Sequence, residues 1–253
     1  MHNKKILALA VLAACAAGAH AQSSVQATGL VDVYVGSMKN SGDADRTNVL
    51  GSGGMTTSWF GFKGSEDLGG GLKANFLLTG FMRADTGTPG RFNGDPFFSR
   101  DALVSLSGDF GAVTLGRTVA PNFVPTITMN PFGDSFTFSP LVLHQNIALF
   151  NSTGWAGTNP SDTGWSNQVI YSSPKVGGFN ANLHYQFGEQ QGQSSKNNVG
   201  LNVNYANGPL ALTAFYEDVN MTNPTPSVLA DSKKNWMLGA NYDAGFAKLF
   251  ATY

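Results

Sequence analysis

From residue 24 onward, apolar and polar side chains alternate nearly one for one. Phe179, Ala181, Leu183, Tyr185 and Phe187 alternate with Asn180, Asn182, His184, Gln186 and Gly188. Val199, Leu201, Val203 and Tyr205 alternate with Asn198, Gly200, Asn202 and Asn204, and Trp236, Leu238, Ala240 and Tyr242 with Asn235, Met237, Gly239 and Asn241. A period of two marks an extended strand with two unlike faces. One face is apolar, with aromatics toward the strand ends, and the other carries amides and small residues. The same rule predicts about eleven strands, near residues 24–37, 55–67, 72–82, 97–107, 111–118, 167–173, 179–187, 198–205, 209–217, 234–243 and 246–253. No linker or charge run interrupts them.

Two architectures bury such strands. A soluble sandwich turns the apolar faces inward against a second sheet. A membrane barrel turns them outward to lipid and keeps the polar face around a wet lumen. The connections favour the barrel, because they are short at one end of the strands and long at the other. Short turns are Asp67-Leu68-Gly69-Gly70, Gly108-Asp109-Phe110-Gly111, Pro174-Lys175-Val176-Gly177-Gly178, Ala206-Asn207-Gly208 and Asp243-Ala244-Gly245; long connections fall near residues 38–54, 83–96, 119–166, 188–197 and 219–233. Outer-membrane barrels pair short periplasmic turns with long extracellular loops. Tyr185, Phe187, Tyr205, Tyr216, Trp236 and Tyr242 sit where interfacial aromatic girdles belong. The predicted fold is all-β, a transmembrane antiparallel up-and-down β-barrel.

The N-terminus changes the compartment. Lys4 and Lys5 precede an apolar run from Ile6 to Cys15, and Ala19-His20-Ala21 is an A-x-A cleavage site. This predicts a secretory signal over residues 1–21, cut between Ala21 and Gln22, followed by one barrel domain over 22–253. Leu12-Ala13-Ala14-Cys15 also fits a lipobox, and that alternative stays open. Cys15 is the only cysteine, so cleavage after Ala21 leaves no thiol or disulfide chemistry. Removing residues 1–21 takes two lysines and no acid, moving the net charge from −1 to −3. That is no nucleic-acid footprint. Only 12% of residues are charged, and mean hydropathy is near zero, as expected when lipid-facing and lumen-facing residues cancel.

The segment Ser58-Trp59-Phe60-Gly61-Phe62-Lys63-Gly64-Ser65-Glu66-Asp67-Leu68-Gly69-Gly70-Gly71-Leu72-Lys73 then carries a resemblance. It resembles the second strand, turn and third strand of general trimeric Gram-negative porins, nearest the β-proteobacterial type. Phe98-Ser99-Arg100-Asp101-Ala102, Leu106-Ser107-Gly108-Asp109-Phe110-Gly111, Val113-Thr114-Leu115-Gly116-Arg117, Asn130-Pro131-Phe132-Gly133 and Tyr171-Ser172-Ser173-Pro174 follow in the family's order. The resemblance implies a homotrimeric 16-stranded barrel in the outer membrane, touching lipid and lipopolysaccharide. It also implies passive diffusion of small hydrophilic solutes and ions. About eleven strands of that pattern are present, an odd number that an up-and-down barrel does not close. The expectation is a chain incomplete at its C-terminus, with Tyr253 a truncation point.

In the family the third loop folds into the barrel, and its acids face arginines of the wall across the constriction. The counterpart here is 119–166, a connection long enough to expect a function. Carried over residue by residue, Arg117 matches a wall arginine, and Lys63 and Arg100 stand where basic lumen residues are usual. Trp59 stands where arginine is common, Asn130 where aspartate is common, and Gly164-Trp165 at another arginine position. Asp134 and Asp162 are the only acids within 119–166, which has no Lys or Arg. The expected pore-lining set is Arg117, Arg100, Lys63, Trp59, Asp134, Asn130 and Phe132, with Phe136, Phe138 and Trp155 nearby. Two unit charges about 8 Å apart in water interact by about half a kcal/mol. So few charges therefore predict weak ion selectivity. Simple ion pairing of Arg117 and simple anchoring of the loop by the Phe cluster are the competing readings.

Enzyme chemistry finds no support. His144 lies in an apolar run and His184 among amides, with no acid or serine at informative spacing. No metal or cofactor is expected. Asp43 and Asp45 are read as a solvated loop, with contact to divalent cations on lipopolysaccharide as the alternative. The rival function is a non-conducting surface or structural barrel, or an adhesin-like β protein. The loop at 119–166 discriminates: inward it narrows a channel, outward it makes a binding surface. Its apolar residues Phe123, Val124, Ile127, Met129, Phe132, Phe136 and Phe138 favour the wall.

Overall fold

Alternation along the chain becomes one antiparallel sheet whose neighbours in space are neighbours in sequence. The computed structural model describes residues 24–39, 42–139, 141–142, 158–159, 162–192 and 196–253. Strand β1 (Ser24–Leu30) is followed by a separate hairpin of β2 (Val33–Met38) and β3 (Thr47–Ser52). Next come β4 (Trp59–Gly69), β5 (Leu72–Arg83), a two-residue β6 (Thr88–Pro89), β7 (Asp101–Gly108) and β8 (Gly111–Val119). The chain continues through helix α1 (Phe123–Thr128), β9 (Thr158–Asn159), β10 (Gly164–Ser172), β11 (Phe179–Gln186), β12 (Asn198–Asn207) and β13 (Leu210–Met221). It ends with β14 (Asn223–Pro224), β15 (Val228–Asp243) and β16 (Lys248–Thr252). The main sheet runs β1-β4-β5-β7-β8-β10-β11-β12-β13-β15-β16, with β6 on the edge of β5. Eleven strands in up-and-down order match the expectation. Among the described residues β1 and β16 each have one sheet neighbour, so the wall is open between them.

Register separates the two faces. Lys63 pairs with Leu77, Asn75 with Ser105, Ser105 with Thr114, Asn182 with Asn202 and Asn204 with Thr213. Side-chain hydrogen bonds run along this polar face, from Asn75 to Ser105 and Ser107 and from Asn182 to Asn202. The other face carries Phe60, Phe62, Val104, Leu106, Val113, Leu115, Leu183, Leu201, Leu212, Trp236 and Leu238, all exposed. So large an apolar surface belongs against lipid. The short turns lie at one end of the strands. Gly69, Gly70 and Gly71 all take positive φ, between 61° and 85°, and only glycine does this repeatedly without a Cβ clash.

Four departures from the sequence reading have physical causes. The strand expected over 24–37 breaks at Val31 and Asp32, because the Asp32 carboxylate accepts the N–H groups of Gly54, Met55 and Thr56. The connection at 38–54 contains β3. On the long-loop side β13 reaches Met221 and β15 begins at Val228, since their pairing continues to Met221↔Val228. Within 119–166, read as structureless, lies α1, with Pro125 in its first turn, where no N–H is required. Residues 1–23 lie outside the described residues, with Cys15, Ala21 and Gln22, as do His144 and Trp155.

Candidate functional site

The segment after β8 crosses the polar face of the sheet. Its root docks on β12 and β13: Asn202 Nδ2 donates to the Pro121 carbonyl at 3.1 Å, and Asn122 Nδ2 donates to Glu217 Oε1 at 2.9 Å. Asn235 donates to the same Glu217 oxygen from β15. Glycine in the wall makes room. A Cβ at Gly200 would lie 2.3 Å from Pro121 Cγ, and one at Gly239 would lie 2.6 Å from Met129 Cγ. Met129 packs with Phe215 and Met237, and Asn241 Nδ2 donates to the Thr128 carbonyl. The segment then reaches the opposite part of the wall. Thr56 Oγ1 donates to Asp134 Oδ2 at 2.6 Å, Ser135 Oγ to the Gly54 carbonyl at 2.7 Å and Thr137 Oγ1 to the Gly53 carbonyl at 3.2 Å. One loop therefore touches both β15 and the approach to β4, so the sheet is curved around it. It folds inward, as a channel needs, and not outward as a binding surface.

Where the loop tip meets the wall, a gap of about 40 Å³ remains, lined by Trp59, Phe81 and Arg100 on the wall and by Phe123, Asp134 and Phe136 on the loop. Three residues of the expected set, Trp59, Arg100 and Asp134, line this gap. The Arg100 guanidinium lies 4.1 Å above the Trp59 ring and bonds Asp101 Oδ2 at 2.6 Å. Asp101 is held in turn by the Thr79 and Thr118 hydroxyls. Asp134 faces Arg100 across the gap, its carboxylate bonded by a hydroxyl. Lys63 lies further along the same polar face of β4, exposed. Phe132 is exposed on the loop.

Arg117 and Asn130 sit differently from expectation. Arg117 pairs with Ala102 and alternates with Leu115 and Val113, the apolar set. Its guanidinium is buried, donating to the Ser99 and Gly164 carbonyls, Ser166 Oγ and Asp162 Oδ2. This corrects its placement as a water-facing wall charge: its nitrogens are all spent on protein. Asn130 is likewise consumed, donating to the Thr126 and Gly133 carbonyls while its oxygen accepts from Phe132 N–H and Ser139 Oγ. It shapes the turn instead of meeting solute.

The second member of the Arg117 network is Arg91, which the sequence reading did not single out. Arg91 bridges Asp95 at 3.0 Å and Asp162 at 2.6 Å, at the long-loop end of the strands. Burial works against charge on Asp162, but Arg91 and then Arg117 outweigh it and hold the carboxyl below the usual range. Burial also opposes the Arg91 charge, and Asp162 and Asp95 more than offset it, raising its pKa. Asp32, Asn122 and Glu217 were missed too, because each acts through a partner between about 22 and 95 residues away. His184 is buried under the loop root with Nδ1 against Gln168 Oε1 and its ring edge-on to Trp165. Among the described residues no three metal-ligating side chains cluster. The lining of the gap is thus mainly aromatic, with Arg100 and Asp134 as its charged groups.

The chain matches known proteins over nearly its whole length. A family model described as Gram-negative porin matches residues 8–253. Outer membrane porin protein 32 of Delftia acidovorans is 37% identical over 255 residues, spanning 98% of this chain and 68% of that protein. A second outer membrane porin protein, from Bordetella pertussis, is 28% identical, spanning 99% of this chain and 69% of its own length. Among solved structures, an anion-selective porin from Comamonas acidovorans superimposes with a TM-score of 0.73 at 34% identity, over 91% of this chain and 67% of that one. The trimer form of OmpT from Vibrio cholerae, at 16% identity and a TM-score of 0.56 over 91% of this chain and 64% of that one, shares the fold.

Proposed function

Because this chain belongs to the Gram-negative porin family and is a channel of the outer membrane, we propose that the loop carrying Asp134 and Phe136, seated against Trp59 and Arg100, narrows its lumen into the constriction. The observation that carries this is the loop's docking on the polar face of the wall at two separated places. Small hydrophilic solutes and ions pass beside the loop down their own gradient. The wall meets lipid and lipopolysaccharide, and the subunits form a homotrimer, as the family resemblance implies.

Selectivity at this constriction is weak. Arg100 is neutralised by Asp101, while Lys63 and Asp134 oppose each other in sign. Arg100 and Asp134 are the charged groups that line the gap, and Lys63 stands further along the same face. One uncompensated charge at about 8 Å in water changes ion occupancy by a factor of roughly two. The relative described as anion-selective suggests which way the small bias runs. The experiment is the reversal potential across a planar bilayer in a potassium chloride gradient. A small value favouring chloride is expected; a potential near the Nernst limit for either ion would defeat the reading.

A further inference from the structure

We propose that Asp32 is a positioning residue that sets the width of the aperture by holding the wall segment on which the loop tip rests. This deepens the constriction reading above and rests on it.

Asp32 lies between β1 and β2, where the strand is broken. Its carboxylate takes three successive backbone N–H groups: Oδ1 accepts Gly54 N–H at 2.8 Å, and Oδ2 accepts Met55 N–H at 3.0 Å and Thr56 N–H at 3.1 Å. Its main chain joins in. The carbonyl accepts Gly53 N–H and the buried Ser58 hydroxyl, and the amide donates to Ser58 Oγ. Residues 53–58 belong to no strand, so this one residue supplies the shape that a sheet ladder supplies elsewhere. A carboxylate gathering consecutive backbone N–H groups is a strong, charge-assisted arrangement.

The same short segment is the dock for the tip. Gly53 and Gly54 turn their carbonyls to Thr137 and Ser135, and Thr56 turns its hydroxyl to Asp134. The N–H groups of 54–56 are spent on Asp32 on one side, and the acceptors of 53–54 are spent on the loop on the other. Loosening the first set frees the second. Asp134 and Phe136, which form the loop side of the gap, then lose their fixed distance from Trp59 and Arg100. Asp32 itself lines no part of the gap, so its effect reaches solute only through position.

The experiment compares Asp32→Asn with Ser135→Ala/Thr137→Ala in planar bilayers and by hydrogen exchange over residues 132–138. Asparagine replaces one of the two accepting oxygens by an N–H₂, which then faces backbone N–H groups. The second variant leaves Asp32 untouched and cuts only the tip's bonds to the segment. Both are expected to replace a single sharp conductance level by a higher, fluctuating one, with faster exchange at the tip. A Thr56→Cys/Asp134→Cys tether added to Asp32→Asn should restore the sharp level when oxidised and lose it when reduced. Cys15 is the only native cysteine, so the tether has no competitor within the barrel domain. Wild-type conductance and tip exchange in both variants would overturn the role of Asp32. A reversal potential indifferent to Asp134→Asn, with tip exchange still responding to Asp32→Asn, would instead reject the loop tip as the constriction.

Discussion

On the constriction reading, Lys63 and Asp134 matter most, because neither has an opposite charge bonded to it among the described residues, whereas Arg100 spends its charge on Asp101. That contrast decides which substitution matters. Lys63→Gln is expected to shift the chloride-to-potassium permeability ratio toward potassium by roughly twofold, and Asp134→Asn to shift it toward chloride by a similar factor. Arg117→Met should move the ratio far less, because its guanidinium sits buried among carbonyls and Asp162. Reversal potentials of the three variants check this, and a larger shift for Arg117→Met than for Lys63→Gln would count against the assignment. The Arg117 misplacement was avoidable. Val113, Leu115 and Arg117 already alternate together, so parity alone puts Arg117 on the apolar face. The resemblance to a wall arginine points to the opposite face. Trp59, Lys63 and Arg100 came from the resemblance and Asp134 from its place in the long loop; Trp59, Arg100 and Asp134 lie together where the loop meets the wall. Asp32 was not legible, since no local pattern says which backbone a carboxylate on a strand will meet.

At the level of elements, α1 and the loop tip dock where the wall is made of glycine. Gly200 and Gly239 leave hollows that Pro121 and Met129 fill. Gly200→Val is therefore expected to push the loop root off the wall, costing about 1–3 kcal/mol of local stability and exposing 120–142 to protease. Limited proteolysis of folded protein reads this directly, and an unchanged cleavage rate would show that the root does not need the hollow. The strands themselves were visible in the sequence through their period of two. Their outer ends were not: β13 and β15 run on past the last alternating residue, because ladder pairing continues where the side-chain pattern has faded. The inward helix was hidden for a related reason. Six residues of mixed polarity carry too little periodicity to announce a helix.

For the molecule as a whole, two environments meet at the rim. Leu201 points to lipid and Thr114 to water, so a basic residue is costly at one and harmless at the other. Leu201→Arg should destabilise the inserted barrel by about 2–4 kcal/mol, while Thr114→Arg should fold normally; denaturant titration in detergent or lipid compares them. The rim network adds an acid limit. The Asp162 carboxyl is held below its unfolded value, so its contribution is present above the unfolded pKa of about 3.9 and fades as pH falls through the folded one. Protease resistance of the loops should therefore drop in that acid window. In Asp162→Ala, which leaves Arg91 and Arg117 buried without their shared partner, it should already be low at pH 7. A wild-type profile flat to pH 2 would remove Asp162 from this role.

The loop that crosses the lumen has a consequence for how the protein comes to be. Its bonds join residues far apart along the chain: Thr56 to Asp134 over 78 residues, Asn122 to Glu217 over 95 and Thr128 to Asn241 over 113. The wall forms from neighbouring hairpins, whose ends are close from the start. Contacts that close long stretches of chain come later, since their entropy is lost before they repay it. The proposed constriction is thus expected to be completed after the wall that surrounds it. A newly assembled molecule is expected to pass through a wider form before the loop docks; hydrogen exchange pulsed during refolding that protects 132–138 no later than the strands would count against this.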